Sequence, residues 1–190
     1  MNNKEKRREI LAAAERLFNR FGTGKTAVDE IADEAGVAKG TIYNNFGSKT
    51  GVINEIIKDK LAAFEEKTDK MIHEMSDPVK GLQALITERI RVLTGTPFLA
   101  DGSLKKNTGS MKKLQQQMEE KFRAASEKIL QSGKNFRLPR EEMENILNTI
   151  TYAVKGMEGT IQGAFSKIKS EKIEQEISFM VSRLFPQKNR

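Results

Sequence analysis

The chain has 190 residues, with 33 lysines and arginines against 26 aspartates and glutamates, one histidine and no cysteine, giving a formal charge of +7. The absence of cysteine excludes disulfides, zinc fingers, iron–sulfur clusters and thiol catalysis, and one histidine leaves no ligand set for zinc, so no metal, other cofactor or catalytic residue is expected. With 37% apolar residues the chain can bury a core. It has no run near the ~20 apolar residues of a bilayer span and no secretory segment at MNNKEKRREI, so a cytoplasmic protein with no membrane partner is expected.

Only four prolines occur, helix formers dominate long periodic stretches, and no alternating β-branched run appears, which predicts an all-α fold. Ile10, Ala14, Leu17, Phe18 and Phe21 mark the buried stripe of a helix over about residues 4–21, ended by Gly22. Thr26 is placed to cap a short second helix, with Asp29 in the capping-box position and Val28, Ile31, Ala32 and Ala35 facing inward. Gly36 breaks it, and a third helix follows over about 38–46 with Ile42 and Phe46 inward. Val52 to Met75 trace a long fourth helix. Asp77-Pro78 restarts the chain as N-cap and first helical position of a fifth, which carries Val79 to Leu93. Residues 94–110, with Gly95, Pro97, Gly102 and Gly109, read as a lid, a loop or a short irregular helix. Helices over Met111–Ile129, about 139–168 and 171–185 complete about nine, three in a head (residues 1–47) and the rest in a body (48–190).

The head carries the functional signal. Two short helices joined at Gly36 form a helix-turn-helix, whose second helix fits the roughly 12 Å major groove of B-DNA. Lys39, Thr41, Tyr43, Asn44 and Asn45 offer that groove donors, acceptors and a methyl group, while Gly40 allows close backbone approach. A solvated polar face would have the same composition. The helix starting after Thr26 presents unpaired N–H groups and a positive dipole end, and Lys49 opens the fourth helix, so both suit a phosphate oxygen. Lys4, Arg7 and Arg8 add a flexible basic arm. Residues 1–50 hold nine basic against seven acidic side chains, so the electrostatic case requires the basic groups to cluster on one side.

The run Val28-x-x-Ile31-Ala32-x-x-Ala35-Gly36-Val37-Ala38-Lys39-Gly40-Thr41-Ile42-Tyr43-Asn44-Asn45-Phe46-Gly47-Ser48-Lys49 closely resembles the signature of the tetracycline-repressor-like (TetR-type) transcription regulators. The likeness covers residues 1 to about 55 at motif level and the remainder by length and helical layout. It implies a nine-helix homodimeric repressor with a ligand pocket in the body. It also implies that Lys39, Thr41, Tyr43 and Asn44 face bases or adjoining phosphates and that Tyr43 and Lys49 grip the backbone. Two positions depart from the pattern: Asn45 stands where the family usually has histidine or an aromatic residue, and Thr23 where it usually has an aromatic.

Two other features carry no chemistry. Gly24-Lys25-Thr26 looks like the end of a phosphate-binding loop, but the motif needs glycine where Asn19 stands, and no strand precedes it. His73 has no partner base or ligand set, which makes it a helix-edge polar group or a pocket donor. In the penultimate helix, Ile146, Ile150, Val154, Met157, Ile161, Phe165 and Ile168 form an aliphatic stripe, and Ala153, Gly156, Thr160 and Gly163 a small-residue stripe. Small residues let another helix approach, so these four, with Ile177, Met180 and Leu184 of the last helix, are the expected homodimer face. A helix crossing within one chain is the other reading.

Met71, His73, Leu85, Arg91, Phe98, Met118, Phe122 and Tyr152 are the candidates for a ligand cavity, with core packing an equal explanation for the apolar ones. The expected partners are double-stranded DNA, a second copy of the chain and an unidentified small-molecule effector. The expected function is a sequence-specific repressor released from a palindromic operator by that effector. An activator, or a helical ligand-binding or enzyme domain with an incidental helix-turn-helix, is the alternative.

Overall fold

The structure is a computed structural model that describes residues 2–75, 77–96, 98, 108–133, 138–161 and 170–185. Among the described residues it is all-α, with eight helices and no strand: α1 (Asn3–Phe21), α2 (Val28–Ala35), α3 (Lys39–Phe46), α4 (Lys49–Glu74), α5 (Pro78–Gly95), α6 (Thr108–Ser132), α7 (Arg140–Ile161) and α8 (Ser170–Leu184). The chain divides into two compact units, Met1–Ala62 with Thr96–Gln115, and Ala63–Gly95 with Gln116–Arg190. Helix α4 therefore gives its first half to one unit and its second half to the other. The expected continuation of α7 to about residue 168, and most of the 94–110 segment, lie outside the described residues.

The first unit is built on the short helices. Asn2 Oδ1 accepts from the Glu5 N–H at 2.9 Å and Glu5 Oε2 from the Asn2 N–H at 2.8 Å, a reciprocal cap that starts α1 at Asn3. Lys4, Arg7 and Arg8 are therefore helical and form no flexible arm. Ile10, Ala14 and Phe18 line the inner face of α1 and pack with Ile31, Ala32, Ile42, Val52, Ile53, Ile56 and Ile57. Phe98 joins the same core, its ring centroid 5.5 Å from that of Phe18.

Gly36 adopts a left-handed conformation (φ 63°), in which the Val37 N–H reaches back to the Ala32 carbonyl at 3.0 Å and closes the turn of the helix-turn-helix. A Cβ there would meet nothing within 4 Å, so the backbone conformation and not the space calls for glycine. The N-cap of α2 is Ala27, whose N–H donates to Glu30 Oε2 at 2.7 Å. The expected pair of Thr26 and Asp29 is thus displaced by one residue. Ser48 starts α4, its hydroxyl accepting from the Gly51 N–H at 3.1 Å.

In the second unit, Asp77 Oδ1 accepts from the Val79 N–H at 2.9 Å and caps α5 as its sequence position predicts. Phe64, Leu82, Leu85, Ile86, Ile90, Phe122, Ile129, Ile146, Ile150, Val154, Ile177 and Val181 form its core. A Cβ on Gly81 would lie 2.8 Å from Ile129 Cγ2, so α5 and α6 pass closely there. Three buried polar side chains of this unit are hydrogen-bonded within it: Thr68 donates to the Phe64 carbonyl, Ser126 to the Phe122 carbonyl, and the Glu88 carboxylate accepts from Lys67 and Arg91. The Arg89 guanidinium carbon stands 4.6 Å from the Phe122 ring centroid. No described helix is long and apolar enough to cross a membrane.

Candidate nucleic-acid interface

Helix α3 is positioned by its one fully buried side chain, Ile42, and by its ends. Ala38 precedes it in extended conformation, and Gly47, at φ 73°, terminates it. With Ile42 fixed inward, the 3.6-residue period turns Gly40, Tyr43 and Asn44 outward, Lys39 opens the helix at its first position, and all four are exposed. Tyr43 is 45% exposed, an unusual placement for so large a ring. Gly40 is an outward helical position where a Cβ would touch nothing within 4 Å. Packing within the chain therefore gives no reason for the glycine, whose low helix propensity works against α3. Thr41 is half-buried at the edge of this face.

Three of the expected DNA-contact residues are occupied within the protein. Thr26 is only 1% exposed, and its hydroxyl donates to the Gly22 carbonyl at 2.9 Å, so it pins the α1–α2 connection and offers a duplex no side-chain atom. The Asn45 amide donates to the Thr41 carbonyl at 2.7 Å, one turn back along α3. Lys49 Nζ donates to the carbonyls of Thr23 and Thr26 at 2.8 and 3.0 Å and so clamps the connection preceding α2. Thr23, the residue that departs from the family pattern, is buried beneath that clamp.

Charge on this face is partly neutralised. Lys39 Nζ lies 2.7 Å from Asp29 Oδ1 across the turn, and this hydrogen bond and the charge of Asp29 raise the ammonium's pKa above its ordinary value. The lysine therefore stays protonated at every pH of interest. Arg7 and Arg16 are also paired, with Glu55 and Glu34. Any attraction to a polyanion consequently works against acidic partners already in place. Replacing Asp29 with asparagine frees Lys39 and removes a negative charge, and should raise affinity for all duplexes by about three- to tenfold while steepening the salt dependence. Titration of labelled duplexes at several salt concentrations checks this; an unchanged affinity would place Lys39 away from the DNA.

The other expected sites do not converge. Leu85 and Phe122 are buried in the second core, with Met118 packed against it. Met71 is half-buried and His73 exposed. Arg91 is an exposed partner of Glu88, Tyr152 is 71% exposed, and Phe98 belongs to the core of the first unit. Phe98 and Tyr152 are thus removed from a common ligand cavity in the body, the first by its place in the other core and the second by its exposure. On the expected dimer face, Ile177 is 1% exposed and fills the core of its own unit, so it cannot meet a second copy. Met180 and Leu184 are half-buried edges of that core, Ala153 is half-buried and Gly156 is open, with nothing within 4 Å of a Cβ. The side chain of Thr160 and all of Gly163 lie outside the described residues. The sequence reading missed the exposed aromatic rings of these helices as surface features: Tyr152 on α7 and Phe179 on α8.

Residues 10–56 match the family model described as bacterial regulatory proteins, tetR family. The chain is 35% identical over 78 residues to the HTH-type transcriptional regulator HbdR of Aromatoleum sp. (strain CIB), covering 41% of this chain and 34% of that protein. It is 32% identical over 92 residues to the fatty acid metabolism regulator protein of Bacillus subtilis (strain 168), covering 48% and 47%. The matches thus span half or less of the length of these relatives. Among solved structures, a TetR transcription regulator from Haloarcula marismortui ATCC 43049 superposes with a TM-score of 0.75 at 16% identity, covering 95% of this chain and 96% of that one. The transcriptional regulator FadR from Bacillus subtilis in complex with stearoyl-CoA superposes with a TM-score of 0.67 at 22% identity, covering 91% and 96%. At such identities these superpositions speak for the fold. Over residues 10–56, then, the chain is similar to the tetR family of bacterial regulatory proteins, and its all-helical fold is that of the superposed regulators.

Proposed function

We propose that the protein is a cytoplasmic, sequence-specific regulator of transcription and no enzyme: a homodimeric repressor released from a palindromic operator by a small-molecule effector. Residues 1–47 bind DNA, and residues 48–190 bind the effector and pair the two copies. The observation that carries the reading is the outward face of α3, where Lys39, Gly40, Tyr43 and Asn44 are exposed on a helix anchored from within by Ile42. Asn44 is the base-reading residue, because an amide pairs bidentately with adenine in the major groove. Tyr43 and Lys39 contact adjoining phosphates, Thr41 offers its methyl to a thymine, and Gly40 lets the α3 backbone come close to the duplex. Lys49, Thr26 and Asn45 act one step behind, holding the segments that carry those residues.

The dimer face comprises Ala153, Gly156, Thr160 and Gly163 with Met180 and Leu184. Exposed Tyr152 and Phe179 supply aromatic anchors on the same two helices, α7 and α8, of the kind that dominate protein interfaces. Two copies are needed because one α3 reads only one half-site, and the second half-site lies about 34 Å away. The effector favours a dimer whose two α3 helices no longer match successive grooves, and it shifts the equilibrium by its differential affinity for the two states. The Bacillus subtilis regulator of the same fold holds stearoyl-CoA, which makes long-chain acyl thioesters the first effector class to test.

Selection of bound sequences from random duplexes tests the reading, with the selected duplex then challenged by acyl thioesters. Enrichment of a palindrome supports it, and retention of no duplex at low salt refutes it. On the selected duplex, Asn44→Ala is expected to cost about 1–3 kcal/mol of binding and to relax selectivity at one base pair per half-site. An equal loss on every sequence would take Asn44 off the base-reading face.

A further inference from the structure

The side chain of Arg7, three residues before the matched family segment, joins three helices of the first unit. Its Nη1 donates to the carbonyl of Asn45 in the last turn of α3 at 3.1 Å, and its Nη2 donates to Glu55 Oε2 of α4 at 2.5 Å. Its guanidinium carbon stacks 4.6 Å from the ring centroid of Phe46, the last residue of α3. Glu55 is held in turn by Lys58 at 2.6 Å. The last carbonyls of a helix have no partner within it and carry the negative end of its dipole, so a cation placed there satisfies both. A planar guanidinium can donate to two acceptors while its face lies on an aromatic ring, which a lysine ammonium cannot reproduce.

We infer that Arg7 is a positioning residue for DNA reading: it fixes the carboxyl end of α3 to α1 and α4, and so sets the direction in which Tyr43 and Asn44 are presented, without itself touching DNA. The inference rests on the proposed function. The outward residues of α3 sit on a helix of only eight residues, with one fully buried side chain, Ile42, to orient it. The tie at Asn45 and Phe46 supplies a second fixed point, and two points define the direction of an axis where one does not. Selectivity requires bidentate geometry at the base edge and suffers from a small tilt, whereas attraction to phosphates tolerates it.

Arg7→Gln and Arg7→Lys are compared with the unsubstituted chain on the selected duplex and on random duplex, each across a range of salt. For Arg7→Gln the ratio of selected to random affinity should fall about tenfold or more while the salt slope stays unchanged, because no phosphate contact is lost. Arg7→Lys, which keeps the charge but loses the fork and the stack, should recover only part of the ratio. An unchanged ratio would reduce Arg7 to a stabilising residue, and a slope lower by about one unit would make it a phosphate ligand; either result overturns the inference. Should Arg7→Gln fail to fold, Glu55→Gln carries the same test, since it loosens the tether while leaving Arg7 in place. A fall in the ratio supports the inference and an unchanged ratio refutes it. If the unsubstituted chain itself shows no selectivity, the failure lies in the proposed function and the inference falls with it.

Discussion

Gly51→Ala is expected to lower the stability of the first unit by about 3 kcal/mol and to abolish selective duplex binding. A Cβ at this position would lie 2.9 Å from the carbonyl carbon of Phe46 and closer still to its oxygen. Those are backbone atoms at the end of α3, so no rotamer change relieves the clash, and the junction between α3 and α4 must open. Gly51 also donates its N–H to Ser48 Oγ at the start of α4, so the opening would disturb that cap as well. The expected sign is the reverse of the usual one, because alanine in a helix ordinarily gains up to about 1 kcal/mol over glycine.

Gly40 provides the contrast. It is also helical, and a Cβ there meets nothing within 4 Å, so Gly40→Ala should stabilise the unit by about 0.5 kcal/mol. The same variant should weaken duplex binding if α3 approaches the DNA backbone at that point. Denaturant unfolding, read with the amide exchange of α1–α3, measures both. A neutral or stabilising Gly51→Ala would show that α3 and α4 do not meet as described.

These two glycines also mark the limits of what the sequence reveals. Helices α1 to α3 were legible because local signals agree: a stripe at Ile10, Ala14 and Phe18, glycines at residues 22 and 36, and Ile42 with Phe46 one turn apart. The identity of Gly51 carries no such signal, since its reason is a contact with Phe46 across a junction. Thr26 has the residue type of a cap but is turned inward, and Glu30 takes the capping role expected of Asp29 by bonding the N–H of Ala27. Cap preferences rank residue types, and the register is decided by where the preceding turn places the chain.

From the sequence Lys49 suits a phosphate oxygen and Arg7 a flexible basic arm, because a sequence shows their charge and not their neighbours. Both instead hold carbonyls from segments distant along the chain. On α8 the apolar residues Ile177, Met180 and Leu184 are recognisable, yet periodicity does not say which edge of a stripe turns inward. Ile177 went to the core, and the exposed ring on that helix is Phe179.

The position read least well carries the other large effect. Phe98→Ala is expected to cost about 3–5 kcal/mol, and the cost should fall on the first unit, in the exchange protection of α1 to α3. Phe98 sits in a stretch with glycine and proline and no apolar period, so the sequence offered only a large apolar side chain, which was assigned to a cavity in the body. In the structure it is 1% exposed and packs on Phe18, 80 residues earlier in the chain, as one of the four largest fully buried side chains.

Removing that ring leaves a void that helices carrying Ile10, Phe18, Ile31 and Val52 cannot close without shifting. Phe98→Leu, which keeps most of the volume, should cost about 1–2 kcal/mol. Phe179→Ala, at a ring that is 63% exposed, should stay within about 0.5 kcal/mol and control for the loss of any aromatic. Thr96 and Phe98 are both buried and belong to the first unit, although α1 lies some 80 residues earlier in the chain, which links the stability of α1 to this segment. A Phe98→Ala chain whose first unit keeps its full exchange protection would break that link.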